Sequence, residues 1–194
     1  MTRTFAIRAA LAAVLASVLT GCALFEAPPA PQAQPTFLVA PGLEAGLPAT
    51  VCRGPGAGPS KALLRVEAKG TVRRLVVVTR CSEGRFAIEG LLPSGVPVFR
   101  GAYDGRLLEQ KAFVPVPDGF DAAQVAGGHL LAVLPVGDWE GSLPEGCRLE
   151  ATPDGRELAC GGRTIERIGL FPSGAPRFIE NTAFGYRIDF KPLD

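Results

Sequence analysis

The chain has 194 residues, with 20 Lys plus Arg against 19 Asp plus Glu, and a net charge of +1 leaves no electrostatic footprint for nucleic acid. A single His all but excludes a His-rich metal site or a His-based catalytic triad, while 47% hydrophobic residues supply a real core. Gly (24) and Pro (18) make the chain turn-rich, which suits an all-β domain better than a helical bundle.

Residues 1–21 read as a signal peptide. Arg3 and Arg8 form a basic start, and Ala9 to Leu19 is an uncharged apolar run. As a helix that run rises about 16 Å, short of a bilayer core of about 30 Å. Leu19-Thr20-Gly21-Cys22 follows and resembles the lipobox of bacterial lipoproteins. The resemblance implies cleavage before Cys22 and acylation (palmitate) of that residue. Ala23 stands where Asp would mark inner-membrane retention, so the implied address is the outer membrane, facing the periplasm. The mature chain keeps 18 basic and 19 acidic residues, so acyl chains and not charge must hold it to lipid. Residues 22–36 form the lipidated N-terminus and a Pro-rich linker, extended at near 3.1 Å per residue. Residues 37–194 form a single β-rich domain.

From Lys61 onward, strand and turn signals alternate. Strands are expected over 62–69, 72–81, 85–92, 96–103 and 106–114, joined by short Gly-containing turns as in a meander. Asp121 then opens a helix running to Leu134, with Asp121-Ala-Ala-Gln124 as a capping box. Gly127-Gly128 inside it costs about 2 kcal/mol relative to alanines. Either close approach to a neighbour or deliberate looseness must offset that cost. A second short helical turn fits 136–143. Strands resume at 147–150, 157–160, 164–171, 175–180 and 183–190.

One echo is present. Gly90-Leu-Leu-Pro-Ser-Gly-Val-Pro-Val-Phe99 recurs as Gly169-Leu-Phe-Pro-Ser-Gly-Ala-Pro-Arg-Phe178, with seven of ten positions matching. Two hairpins with the same turn, or two quasi-equivalent halves around the helix, both account for it. Without Cys22 four cysteines remain, and the export signal implies an oxidising compartment. A hairpin centred on Pro153-Asp154 sets Cys147 opposite Cys160, within reach of a disulfide. Elimination then pairs Cys52 with Cys81. No Cys-x₂-Cys spacing supports zinc.

No catalytic constellation emerges, and neither a cofactor nor a metal site is expected. His129 lies among apolar helical neighbours as a structural His. Gly161-Gly162 and the glycines of 54–58 are loops, not phosphate cradles. Glu89 and Arg100 form a surface pair across a hairpin. Trp139 fits either an exposed lip or a core anchor. What stands out is a one-sided apolar face. A hairpin at 93–95 aligns Ile88 with Phe99 and Phe86 with Gly101, with Tyr103 on the same face. Phe178 and Tyr186 offer a similar set near the C-terminus. With Leu130 and Leu134 from the helix, these residues are the candidate lining of an apolar cavity in a half-closed barrel under a helical lid.

The segments Phe86-Ala-Ile-Glu-Gly-Leu-Leu-Pro-Ser-Gly, Val98-Phe-Arg-Gly-Ala-Tyr-Asp-Gly105, Leu130-Leu-Ala-Val-Leu-Pro-Val136 and Ile179-Glu-Asn with Phe184-Gly-Tyr-Arg-Ile-Asp189 carry a further resemblance. From about Arg65 onward the chain resembles a poorly characterised family of bacterial lipoproteins. Its members are often found beside aryl-polyene or xanthomonadin-type pigment and fatty-acid-like biosynthesis genes. That family is similar in fold to the outer-membrane lipoprotein receptor LolB and the carrier LolA, which are curved, incomplete antiparallel barrels with helices plugging an acyl-binding cavity. The resemblance implies a mainly β fold with a helical insert and a non-enzymatic lipoprotein that takes up a lipid or acylated molecule. The alternative is a closed-core interaction lipoprotein with an envelope protein partner. No catalytic residue is carried over, and the four extra cysteines depart from the family pattern.

Overall fold

The structure, a computed structural model, describes residues 33–54, 58–115 and 121–193. The signal peptide, Cys22 and the linker as far as residue 32 lie outside the described residues. The hydrophobic core closes within the unit that begins at Ala33.

Chain order gives β1 (Thr36–Ala40), β2 (Leu43–Gly46), β3 (Ser60–Ala68), β4 (Thr71–Ser82), β5 (Arg85–Leu91), β6 (Pro97–Tyr103), β7 (Leu108–Ala112), helix α1 (Ala122–Val133), a 3-10 turn (Val136–Trp139), β8 (Cys147–Thr152), β9 (Gly155–Cys160), β10 (Arg163–Leu170), β11 (Pro176–Asn181) and β12 (Tyr186–Pro192). The first two strands form a hairpin of their own. The other ten make one curved antiparallel sheet, ordered β7-β6-β5-β4-β3-β12-β11-β10-β9-β8. Each strand pairs with its sequence neighbour, and β12 closes back onto β3. The sheet is therefore an up-and-down meander opened between β7 and β8, where the chain inserts α1. The expected β class with a helical insert is the observed one. The turns at 69–70, 92–96, 161–162 and 182–185 share one rim, here the upper. Those at 83–84, 104–107, 153–154 and 171–175 share the lower.

The strand patterns follow burial. In β5 Phe86, Ile88 and Gly90 face inward while Arg85, Ala87 and Glu89 do not. The expected register of this hairpin needs correction by two residues: Phe86 pairs with Tyr103, Ile88 with Gly101 and Gly90 with Phe99. The turn closes between Leu92 and Val96, and Val98 is an extra residue in a bulge. Gly90 explains the choice. A Cβ there would collide with the Phe99 ring, so the ring occupies the space a side chain would fill.

The echoed hairpin β10–β11 repeats each step. Leu170 pairs with Pro176, Gly169 with Phe178, and Phe171 closes onto Ala175. Yet Phe99 is 1% exposed in the core, whereas Phe178 lies on the outer face beneath Arg187, 4.4 Å from ring centroid to guanidinium. The meander requires this inversion. The two hairpins sit at opposite rims of a sheet that winds one way. They are related by rotation about an axis in the sheet plane, which exchanges inner and outer faces. The repeat is thus one turn solution used twice, with opposite faces buried.

Helix α1 crosses the concave side. Asp121 caps it, its carboxylate accepting from Gln124 N at 2.8 Å. The capping box is only half made, because the Gln124 side chain turns to β1 instead: Leu38 N donates to Oε1 (3.0 Å) and Nε2 donates to Leu38 O (2.8 Å). Arg156, from β9, donates to Leu131 O and Leu134 O at the other end of the helix. Gly127 is explained by close approach, since a Cβ there would strike the Phe37 ring. Trp139 is a core anchor at 1% exposure, packed edge-on to Phe37 at 5.9 Å. Both disulfides pair as expected, Cys52 with Cys81 and Cys147 with its directly opposed partner Cys160. No helix of the described residues is long and apolar enough to cross a membrane.

Candidate functional site

The concave face is where apolar side chains, buried polar groups and uncovered space meet. Phe86, Ile88, Phe99, Tyr103, Leu130 and Leu134 lie together in the packed core, none more than 2% exposed. Tyr103 donates to Leu47 O at 3.0 Å, and burial together with the Asp104 charge pushes its pKa up to about 12. Tyr186 stands apart on the inner face of β12, and Phe178 is on the opposite face of the sheet.

The inner face of β12 is incompletely covered. Ile188 pairs with Val66 and Phe190 with Leu64, so all four share a face. Leu64 and Val66 are 3% and 4% exposed, but Tyr186, Ile188 and Phe190 are only partly buried. At the lower end of this lane lies a cavity of about 50 Å³, bounded by Ala62, Leu64, Val77, Pro176, Phe190 and His129, with the Ser60–Thr79 hydroxyl pair in its wall. The volume holds a few waters at most and falls well below the roughly 300 Å³ at which ligand pockets begin. His129 stacks on Phe86 at 5.5 Å, and its Nε2 has no hydrogen-bond partner. Burial lowers its pKa to about 4, so the ring is neutral at pH 7.

At the upper end sits a polar row of which the sequence pointed only to Tyr186. Glu166, Asn181 and Tyr186 are consecutive cross-strand neighbours on β10, β11 and β12. Asn181 Nδ2 donates to Glu166 Oε2 (2.8 Å) and to Val39 O (3.0 Å), and its Oδ1 accepts from Phe184 N (2.9 Å). Glu166 is 3% exposed. Burial drives its pKa up to about 7, although the hydrogen bonds from Asn181 and Tyr186 oppose the rise. The same burial and the adjacent carboxylate raise the Tyr186 phenol. Outside this row, toward solvent, a cleft of about 560 Å³ is lined by Glu67, Lys69, Glu180, Thr182 and Arg187. The signal for Glu166 was its place in Thr164-Ile-Glu-Arg-Ile168, in phase with a buried Ile.

The arrangement offers an apolar surface with the neutral His129 ring at one end and the hydrogen-bonded Glu166–Asn181–Tyr186 row at the other. Among the described residues, no three His, Cys, Asp or Glu side chains stand together as metal ligands. Residues 60–194 match a family described as a protein of unknown function (DUF3261). The match begins at the first residue of β3, so it takes in the ten-stranded sheet and α1 and leaves out the β1–β2 hairpin. No curated protein matches the chain.

Proposed function

The chain belongs to this DUF3261 family, and we propose that it is a non-enzymatic outer-membrane lipoprotein that binds a lipid or acylated molecule on its concave face, in envelope lipid or lipoprotein trafficking. Acyl chains on Cys22 anchor it at the periplasmic face. Its likeness to the pigment-cluster lipoproteins and to LolA and LolB belongs to the same reading. The supporting observation is the lane on β12. That strand is central in the sheet, where a solid core is thickest, yet its inward Tyr186, Ile188 and Phe190 are left partly uncovered beside an apolar cavity. Burying an acyl chain there yields roughly 25 cal/mol per Å² of apolar surface.

Titration of the chain from residue 22, carrying Cys22→Ser, with a fluorescent fatty acid gives saturable binding that envelope lipid extract competes away. The full-length chain partitions into detergent with acyl mass on Cys22, and Cys22→Ser abolishes both. No saturable binding sinks the ligand reading. A second reading, a closed-core lipoprotein that docks an envelope protein, is favoured by Leu92, Val96 and Phe113, 41%, 46% and 39% exposed at the upper rim. Retention of an envelope partner without lipid binding decides for it.

A further inference from the structure

A cavity of about 50 Å³ cannot receive an acyl chain unless something leaves. Four observations identify what leaves. First, the β1–β2 hairpin fills the concave face with Phe37 (4% exposed), Val39 (1%) and Ala45 (0%). Second, it makes no strand ladder with the ten-stranded sheet. A lone two-stranded hairpin is marginal in water, so its place is held by what it packs on. Third, its backbone is tied to the concave face mainly by two side-chain amides, Gln124 on Leu38 and Asn181 on Val39, with one backbone bond from Gly46 N to Ser142 O. Fourth, α1 carries Gly127 where the Phe37 ring lies, a groove in the helix shaped for an apolar group. The hairpin also precedes the family match, which starts at Ser60.

We propose that the β1–β2 hairpin is an intramolecular occupant of the ligand site, displaced when an acyl chain bearing an amide or ester carbonyl binds. The inference rests on the ligand-binding reading above and moves the removable element from the helix to the hairpin. The carbonyl requirement follows from the tie points. Once the hairpin leaves, Gln124 Nε2 loses its acceptor and one N–H of the Asn181 amide (1% exposed) loses Val39 O, while the other keeps Glu166. A bare hydrocarbon leaves both losses in place, whereas a ligand carbonyl replaces Leu38 O and Val39 O. An amide also supplies an N–H in place of Leu38 N. Helix α1 stays seated, its last turn held by Arg156 of β9 and its Leu130 and Leu134 in the packed core.

The sole Trp reports the event, because Trp139 packs edge-on against Phe37. The chain from residue 22 with Cys22→Ser is titrated with N-dodecanoylglycinamide, with dodecane as the bare hydrocarbon control. The expected result is a saturable red shift of Trp139 emission and a loss of hydrogen-exchange protection confined to residues 36–46, with dodecane about tenfold weaker because an amide N–H of Gln124 and one of Asn181 stay unpaired. Phe37→Ala makes the hairpin a poorer competitor and tightens apparent binding about tenfold, since apparent affinity scales with the open fraction. Should that variant fail to fold, hydrogen exchange on the unsubstituted hairpin decides alone. Saturable binding that leaves Trp139 and the hairpin amides unchanged overturns the proposal and keeps the ligand-binding reading. No saturable binding overturns both.

Discussion

Glu166 and His129 make opposite demands on pH from two ends of one concave face. Glu166 rises from 4.5 to about 7 on folding, so the native state holds its proton more tightly than the unfolded chain. Its stabilisation is complete below about pH 4.5 and is lost as pH climbs to 7. His129 falls from 6.5 to about 4, so its contribution is complete above pH 6.5 and is lost as pH drops toward 4. Between 4.5 and 6.5 the two slopes cancel, and the unsubstituted chain keeps nearly constant stability. Glu166→Gln exposes the His129 slope and gains stability from pH 4.5 to 6.5. His129→Phe, which retains a ring to stack on Phe86, exposes the Glu166 slope and loses stability over that interval. Urea denaturation at the two pH values reads both. Parallel slopes in the two variants would show that other groups control the dependence. Of this pair the sequence showed only His129, as a lone imidazole among apolar neighbours. Glu166 needed the strand phase to be read through a charged residue.

At the scale of elements, the meander was legible because period-two alternation and Gly-containing turns are local signals. Helix α1 was equally plain from Asp121 and the apolar run to Leu134. The hairpin β1–β2 was not assigned, although Pro41-Gly42 marks its turn, because Thr36–Ala40 carries no polar alternation to announce a strand. Register in the first of the echoed hairpins also escaped, since a bulge is decided by a ring seeking the space above a glycine across the ladder. That mechanism separates two equivalent substitutions. Gly90→Ala pushes a methyl into Phe99, which is locked in the core at 1% exposure. Gly169→Ala pushes one into Phe178, which lies outside and can swing away beneath its arginines. Overpacking a rigid site costs about 3 kcal/mol, and the yielding one costs nearer 1. Thermal or urea unfolding of the two variants tests this, and equal losses would mean that both aromatics are equally confined.

For the whole molecule, the consequence of an open meander is that its two edges and its filling are secured separately. Cys147–Cys160 joins edge strand β8 to its one ladder partner at the upper rim. Cys52–Cys81 joins the segment after the β1–β2 hairpin to the lower end of β4, close to the cavity wall at Thr79. Both pairings were legible, the first from hairpin symmetry and the second from what remained. Their different places in the fold were not, because these depend on long-range closure of β12 onto β3. The loops closed span 13 and 29 residues, so chain entropy assigns each bond a similar stabilisation of roughly 3 kcal/mol. Local exchange tells them apart. Replacing Cys147 and Cys160 with Ser frees β8, which has hydrogen-bonded backbone on one side only, and its amides exchange faster while residues 36–54 keep their protection. Replacing Cys52 and Cys81 with Ser slackens 47–54, where Leu47 and Val51 are buried at 0% and 4% exposure. Protection then falls across that segment and the hairpin it follows. Loosening of the hairpin by the β8 variant would mean that the edge and the filling open as one unit, and a selective release of the concave face would then have no structural basis.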